Sequence, residues 1–313
     1  MTVSVIIPAY NAAATLGHTL KALLSQDYKP SIEIIVVDDG STDHTGDVVK
    51  GFPSVVYLRQ ENTGPAGARN AGTRRAGGQF YCFTDSDCVP HPDWISLLIK
   101  GFSSSRIGVV CGSYGIANSD RSLARGIHAE IIFRHTKLMP DFPKAFGSYN
   151  FCVRKNVFEE VGGFQCLYRQ ASGEDNDLSY RILAAGHQIF FEKKALVDHY
   201  HTDHVVKYLK EQFRHGFWRA RMYMEHPCMV AGDDYTFWKD MVEVPLVVGC
   251  LVLYHLFLPF LVFEIIFGCI MLSKFIEGIF YGFVMYLRAF SRTFGLSTGF
   301  FYFLFKRMEK KFK

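Results

Sequence analysis

Residues 32–41 read IEIIVVDDGS, an apolar, largely β-branched run that stops abruptly at Asp38, Asp39, Gly40 and Ser41. Such a run closed by a turn signal predicts a strand covered on both faces, as in a parallel sheet. The same shape recurs outward from it as VSVIIPAY (3–10), VVYLRQ (55–60), QFYCFTD (79–85) and IGVVCGSY (107–114). Helix candidates fall between these runs, at 12–26, after Ser41, at 65–76 and at 92–102. Strand and helix in alternation predict an α/β layered sheet. In open α/β sheets, ligands bind beyond the carboxyl ends of the strands. Polar groups gather at those ends: Pro8-Ala9-Tyr10-Asn11, Asp38-Asp39-Gly40-Ser41 and Asp85-Ser86-Asp87. No G-x-G-x-x-G follows the first strand and no Walker lysine is present, which argues against dinucleotide and P-loop chemistry.

The whole chain has 313 residues, 49% hydrophobic and 20% charged, a composition that excludes disorder. Its net charge of +4 sits in the last eight residues, where Lys306, Arg307, Lys310, Lys311 and Lys313 face only Glu309. The remaining 305 residues balance 29 basic against 29 acidic groups (34 less 5, 30 less 1), so no broad nucleic-acid surface is expected. Eight cysteines without a C-x-x-C pair suit neither a disulfide scaffold nor a zinc ribbon; a reducing compartment and no secretory leader are expected.

Composition changes near residue 242. Residues 244–263 (VPLVVGCLVLYHLFLPFLVF) carry no charge, and apolar stretches continue past Glu264 to residue 287. Roughly 20 apolar residues cross a bilayer as a helix. Two spans are therefore expected within 241–290, turning at Glu264 or between Lys274 and Gly278. Basic residues on both flanks put both ends in the cytoplasm. Residues 203–240 are expected to form an amphipathic juxtamembrane helix, and 291–313 a basic interfacial tail.

Asp85 and Asp87 are two apart at a strand end and can face the same side. Paired carboxylates suit Mg²⁺ or Mn²⁺ bridging a diphosphate. Glu174, Asp175 and Asp177 crowd the start of a helix, where mutual repulsion can raise one carboxyl's pKa and where acids also complement the helix dipole. His199, His201 and His204 form the richest histidine cluster, but without zinc-site spacing; His201 and His204 read as hydrogen-bonding or surface residues. Arg69 offers a planar fork suited to phosphate oxygens, or to a carboxylate partner within the domain. Trp94, at a helix start, reads as core packing.

The strings VSVIIPAYN, EIIVVDDGSTD, NTGPAGARNAG and FTDSD, in that order, resemble the family 2 glycosyltransferases of the GT-A fold. GGFQ and GEDNDLSYRILAAG match that family's acceptor half, and the resemblance covers residues 2–220. It implies a GT-A catalytic domain over 1–240, with a nucleotide-sugar half at 1–115 and an acceptor half at 116–220. By the same resemblance Pro8, Ala9 and Tyr10 line the base and ribose pocket, Asp39 accepts from the nucleobase and Asp38 supports the turn. Gly67 and Arg69 flank the base and diphosphate. Asp85, Ser86 and Asp87 form the D-x-D segment, with Asp87 the more direct metal ligand, Asp85 beside it and His199 completing the shell. Asp175 is the implied base, and Glu174 and Asn150 lie on the acceptor side. The implied activity is inverting, Mg²⁺- or Mn²⁺-assisted transfer from a nucleotide-sugar donor, in glycan or polysaccharide biosynthesis. The hydrophobic hairpin adds the expectation of a membrane partner and a lipid-linked or glycan acceptor. Gln212-Phe213-Arg214-His215-Gly216-Phe217-Trp218 departs from the Q-x-x-R-W string of processive synthases, which argues against chain extrusion. Direct transfer to polyprenyl phosphate, and a catalytically silent nucleotide-sugar-binding membrane protein, are the alternatives.

Overall fold

A computed structural model describes residues 2–168, 173–227, 238–272 and 274–311. They form two compact units: Met1–Ala117 with His135–Tyr200, and Asn118–Arg134 with His201–Lys313.

In the first unit the chain runs β1 (Val3–Ala9), α1 (Leu16–Leu24), β2 (Ile32–Asp38), α2 (Thr45–Lys50), β3 (Val56–Arg59), α3 (Pro65–Arg75), β4 (Phe80–Thr84), β5 (Cys88–Pro90), α4 (Trp94–Lys100) and β6 (Ile107–Ile116). After α5 (Ser122–Lys137) come β7 (Asn150–Arg154), α6 (Lys155–Glu160), α7 (Glu174–Ala184) and β8 (Gln188–His199). One eight-stranded sheet results, ordered β3-β2-β1-β4-β7-β6-β8-β5. The four strands β3-β2-β1-β4 are parallel, and the register Ala9↔Asp38 and Asp38↔Arg59 brings their carboxyl ends into line. β7 is antiparallel to both β4 and β6, and β5 is antiparallel to β8, so the sheet is mixed.

The apolar runs become strands because both faces are covered: Val5, Ile6, Ile7, Ile35, Val36 and Val37 are fully buried. Burying each such side chain contributes about 1.5–3 kcal/mol. Pro65 opens α3 at the position where a missing N–H costs nothing, and Gly64 precedes it at φ 86°, a conformation few other residues adopt. Trp94 is buried in the core.

The second unit contains the start of α5, then α8 (Val205–Glu225), α9 (Trp238–Val252), a single 3₁₀ turn (Tyr254–Leu256), α10 (Phe257–Leu272) and α11 (Phe275–Lys311). Glycines let the helix backbones touch. A Cβ at Gly216 of α8 would strike the Arg292 carbonyl of α11, and one at Gly295 would strike that of Phe213. Several expectations are corrected here. Glu264 does not mark a turn; it is buried in the middle of α10, and the break falls beside Lys274. Residues 291–311 form no separate tail but continue α11. Among the described residues one stretch, Tyr254–Leu272, is long and apolar enough to cross a membrane, where two spans were expected. The helix expected over 203–240 is found as α8, which ends at Glu225; part of that range, 228–237, lies outside the described residues. Of the two histidines read as hydrogen-bonding or surface, His204 is exposed, whereas His201 is buried with its amide donating to Asn118 Oδ1 at 3.1 Å.

Candidate active site

The loops at the carboxyl ends of β1 and β2 are stitched together by side chains. Asn11 takes φ 51°, and its Oδ1 accepts from the Thr42 amide (2.8 Å) and the Asp43 amide (3.3 Å). Asp38 accepts from the Ser41 amide at 2.7 Å and the Tyr57 hydroxyl at 2.6 Å, closing its turn. Burial works against the Asp38 carboxylate, yet the bonds from Tyr57 and Ser41 and the charge of Arg59 bring its pKa below the usual value. Tyr57 moves the other way, pushed up to about 12 by burial and by Asp38.

Asp39 is buried, and its carboxylate receives Gln60 Nε2 (2.7 Å), the Thr63 amide (2.9 Å) and hydroxyl (3.3 Å), and the Gly64 amide (2.8 Å). The group expected to meet a nucleobase thus shapes the Gln60–Gly64 loop. Ala9 is buried beside it and its carbonyl accepts from the Asp39 amide at 2.8 Å, Pro8 is half-buried, and Tyr10 is 54% exposed. Gly67 is explained by packing: the Thr63 hydroxyl occupies the place a Cβ would take.

Arg69 corrects one expectation. Its guanidinium is 2% exposed, with Nη2 2.8 Å from Asp85 Oδ1 and Nη1 3.1 Å from Glu174 Oε1. The fork expected for phosphate oxygens is occupied by two carboxylates, the alternative that the sequence left open. Glu174 is corrected with it, because a carboxylate buried in that ion pair is not presented to an acceptor. Asn150 is corrected as well. It accepts from Trp94 Nε1 (2.7 Å) and donates to the Ser113 and Ala195 carbonyls (2.8 and 2.9 Å), which makes it a buried brace between strands.

Asp175 stands in the first turn of α7, accepting from the Asn176 amide (2.9 Å) and the Ser148 amide (3.3 Å). Its pKa is raised, and the main cause is burial; the amide of Asn176 and the charge of Arg69 oppose it. Repulsion from its neighbours, the cause expected from sequence, is not the leading one. Glu174 is neutralised by Arg69, and Asp177 by Arg181 at 2.7 Å.

Asp87 and His199 approach each other across the end of the sheet, with His199 Nε2 3.5 Å from Asp87 Oδ1. The β5–β8 pairing causes this, since its register sets Cys88 opposite His199. Ligand atoms of Asp87, Cys88 and His199 lie within 4.8 Å of one another. Carboxylate and imidazole suit Mn²⁺. Burial, with the charges of Asp87 and Asp85, pushes the Cys88 thiol well up, and its sulfur is a soft donor poorly matched to a hard cation. The residues therefore fit a divalent ion held by Asp87 and His199, with Asp85 close by but engaged by Arg69.

The loop carrying Ser86 is pinned by α1: the Ser86 carbonyl accepts from the Thr19 hydroxyl at 3.2 Å, and the Asp87 carbonyl accepts from the Tyr200 amide at 3.0 Å. His18 Nδ1 in turn lies 2.6 Å from the Tyr200 hydroxyl. The Tyr114 ring stacks on Tyr149 (centroids 3.6 Å) and lies 5.1 Å from the His199 ring. Sequence reasoning missed His18, Cys88, Tyr114 and Tyr200. The pairings that bring them in are long-range, and no local spacing announces them.

A sequence model described as "Glycosyl transferase family 2" matches residues 4–169. Glycosyltransferase AglE of Haloferax volcanii is 29% identical over 71% of this chain and 74% of its own length. The probable glycosyltransferase YdaM of Bacillus subtilis is 31% identical over 62% of this chain, and a pre-mycofactocin glycosyltransferase of Mycobacterium tuberculosis 28% over 72%. The chain spans about half the length of these last two (49% and 48%). Among solved structures, the mannosyltransferase PcManGT from Pyrobaculum calidifontis, in complex with GDP-Man and Mn²⁺, is similar at TM-score 0.56 and 17% identity, over 93% of this chain and 86% of that one. Residues 1–349 of TarS from S. aureus, in complex with UDP-GlcNAc, align at TM-score 0.52 and 18% identity, over 72% of this chain and 67% of that one.

Proposed function

We propose, for a chain that belongs to glycosyl transferase family 2 and has the mixed open sheet of the GT-A fold, that it moves a sugar from a nucleotide-sugar donor to an acceptor hydroxyl, with inversion at the anomeric carbon. The observation that supports this most is the Asp85–Arg69–Glu174 bridge, which ties the D-x-D segment to the helix turn carrying Asp175.

In this reading the Asp175 carboxylate takes the proton of the acceptor hydroxyl as its oxygen attacks the anomeric carbon, on the face opposite the diphosphate. The new glycosidic bond forms as the bond to the diphosphate oxygen breaks, and the nucleoside diphosphate leaves with the electron pair. The loops built by Asn11, Asp38 and Asp39 bind the nucleoside, with Tyr10 open beside them. Asp87 and His199 would hold Mg²⁺ or Mn²⁺, which as a Lewis acid neutralises charge gathering on the leaving diphosphate. The apolar helices of the second unit anchor the enzyme to a membrane, with the catalytic unit on the cytoplasmic side. An acceptor that is itself lipid-linked follows from that anchoring.

The test is nucleoside diphosphate release from UDP-, GDP- and dTDP-sugars by detergent-solubilised protein, with Mn²⁺ or Mg²⁺ and with chelator, before and after adding membrane lipid extract. Release from one donor, increased by the extract, is expected. No release under any condition while a donor still binds would replace transfer with nucleotide-sugar binding alone. Full activity of Asp175→Asn would favour a phosphate acceptor, which arrives already ionised.

A further inference from the structure

The second unit presents an apolar surface alongside ion pairs that limit how it can meet lipid. On α10, Leu258, Val262, Ile266 and Ile270 recur every fourth residue and are 68, 45, 55 and 66% exposed. On α11, Ile276 and Phe280 are exposed too. Contiguous exposed apolar surface of this kind marks an interaction site. α10 runs antiparallel along the first half of α11: Phe257 stacks on Phe290 (5.6 Å between centroids), while Gly268 faces Gly278 and Gly282.

Both ends of that half of α11 are tied to one polar helix. Arg125 of α5 meets Glu277 at 2.8 Å, and Glu130 of α5 meets Arg288 at 2.8 Å. Arg288 also holds Glu243 of α9 at 2.9 Å. Glu277 and Arg288 are eleven residues apart in sequence. That is about 16 Å of helix, against a hydrocarbon core of about 30 Å. A crossing by the half of α11 that packs on α10 would leave at least one of these pairs, and part of α5, in hydrocarbon, where charged side chains are strongly disfavoured. α10 with the turn before it is long enough to cross, but it packs along the half of α11 that carries these charges.

We propose that this unit docks in the plane of a lipid bilayer on a single leaflet, with the exposed face of α10 and Ile276 and Phe280 of α11 in the acyl boundary, and does not cross the membrane. Lys306 and Arg307 are exposed toward the other end of α11, and Lys306 Nζ lies 5.0 Å from the Tyr302 ring. Cationic and aromatic groups of this kind hold an interfacial helix at an anionic headgroup layer. The inference rests on the membrane-bound transferase reading only for the purpose of the anchor. Its test involves no catalysis, so loss of either reading leaves the other measurable.

A crossing pair would put Lys274, between α10 and α11, on the opposite side of the membrane from the catalytic unit; in-plane docking keeps it on the same side. Lys274→Cys, at an exposed position, is labelled with a membrane-impermeant maleimide in right-side-out and inverted vesicles. Exposed Cys166 of the native protein reports the face of the catalytic unit, and a background with Cys166, Cys228 and Cys269 all replaced by Ser isolates the new thiol. Phe275→Cys, 75% exposed, serves as a second reporter should the first variant misfold. Labelling of the new thiol from the same face as Cys166 is expected. Labelling from the opposite face overturns the proposal, and so does recovery as a lipid-free soluble dimer.

Discussion

Arg69 Nη2 lies 2.8 Å from Asp85 Oδ1, and the other arm of the same guanidinium reaches Glu174 at 3.1 Å. One buried residue of α3 thereby joins the end of β4 to the first turn of α7. Removing it would leave two carboxylates facing each other without their cation, and breaking a buried pair in this way costs about 3–5 kcal/mol. Arg69→Ala is expected to lose stability of that order in denaturant unfolding, and to lose donor turnover with it. Arg69→Lys should recover only part of both, because an ammonium group cannot form the two-armed fork. Unchanged stability in Arg69→Ala would mean that the bridge does not form in solution.

Asp175 supplies a prediction with opposite signs for stability and activity. Its pKa is raised by burial, so the ionised form is the one that folding disfavours. Between its unfolded and folded pKa values the native state binds more protons than the unfolded chain. Stability therefore rises as pH falls through the folded value, and at neutral pH the ionised carboxylate is destabilising. Asp175→Asn should accordingly match or exceed the parent in Tm at neutral pH, with the gap closing in acid. Turnover should drop roughly 10²–10⁴-fold with donor affinity nearly unchanged. In the parent, the acid limb of kcat/KM should lie above the ordinary carboxylate value. A variant that is less stable and equally active would contradict both signs.

Much of the first unit was legible because apolar runs are local signals. β1, β2, β3, β4 and β6 form where those runs lie, and Pro65 opens its helix as its chemistry requires. The sequence could not tell what the polar side chains at the strand ends bind. Arg69 had two readings, and only the long-range approach of Glu174 decided between them. Asn150 sits in a string that suggests an acceptor contact, yet its three partners come from β6, α4 and the strand β8. The same limit applies to residues 244–287: their hydrophobicity was plain, but the pairing of Glu277 and Arg288 with α5 depends on which helix lies alongside.

The Asn150 brace is separable from catalysis. Its amide joins Trp94, Ser113 and Ala195 in the core. Asn150→Ala strands one buried donor and two buried acceptors, and each unsatisfied group costs about 1–3 kcal/mol. The expected result is a clear fall in unfolding free energy with donor KM little changed in the protein that remains folded. A selective rise in acceptor KM at unaltered stability would instead return Asn150 to the acceptor side.

The metal prediction turns on the difference between His199 and Cys88, which face each other across β5 and β8. Chelation should remove activity and Mn²⁺ restore it. His199→Ala should raise the metal concentration for half-maximal turnover by about tenfold or more, and Asp87→Ala should affect it more strongly, since it removes the only anionic ligand of the pair. Cys88→Ser should leave that concentration unchanged, because a hard cation prefers oxygen and nitrogen to soft sulfur. Electron paramagnetic resonance of Mn²⁺ added to each variant reads binding directly, apart from turnover. Weakened Mn²⁺ binding in Cys88→Ser to the degree seen in His199→Ala would make the sulfur a ligand and point to a softer ion than Mg²⁺ or Mn²⁺.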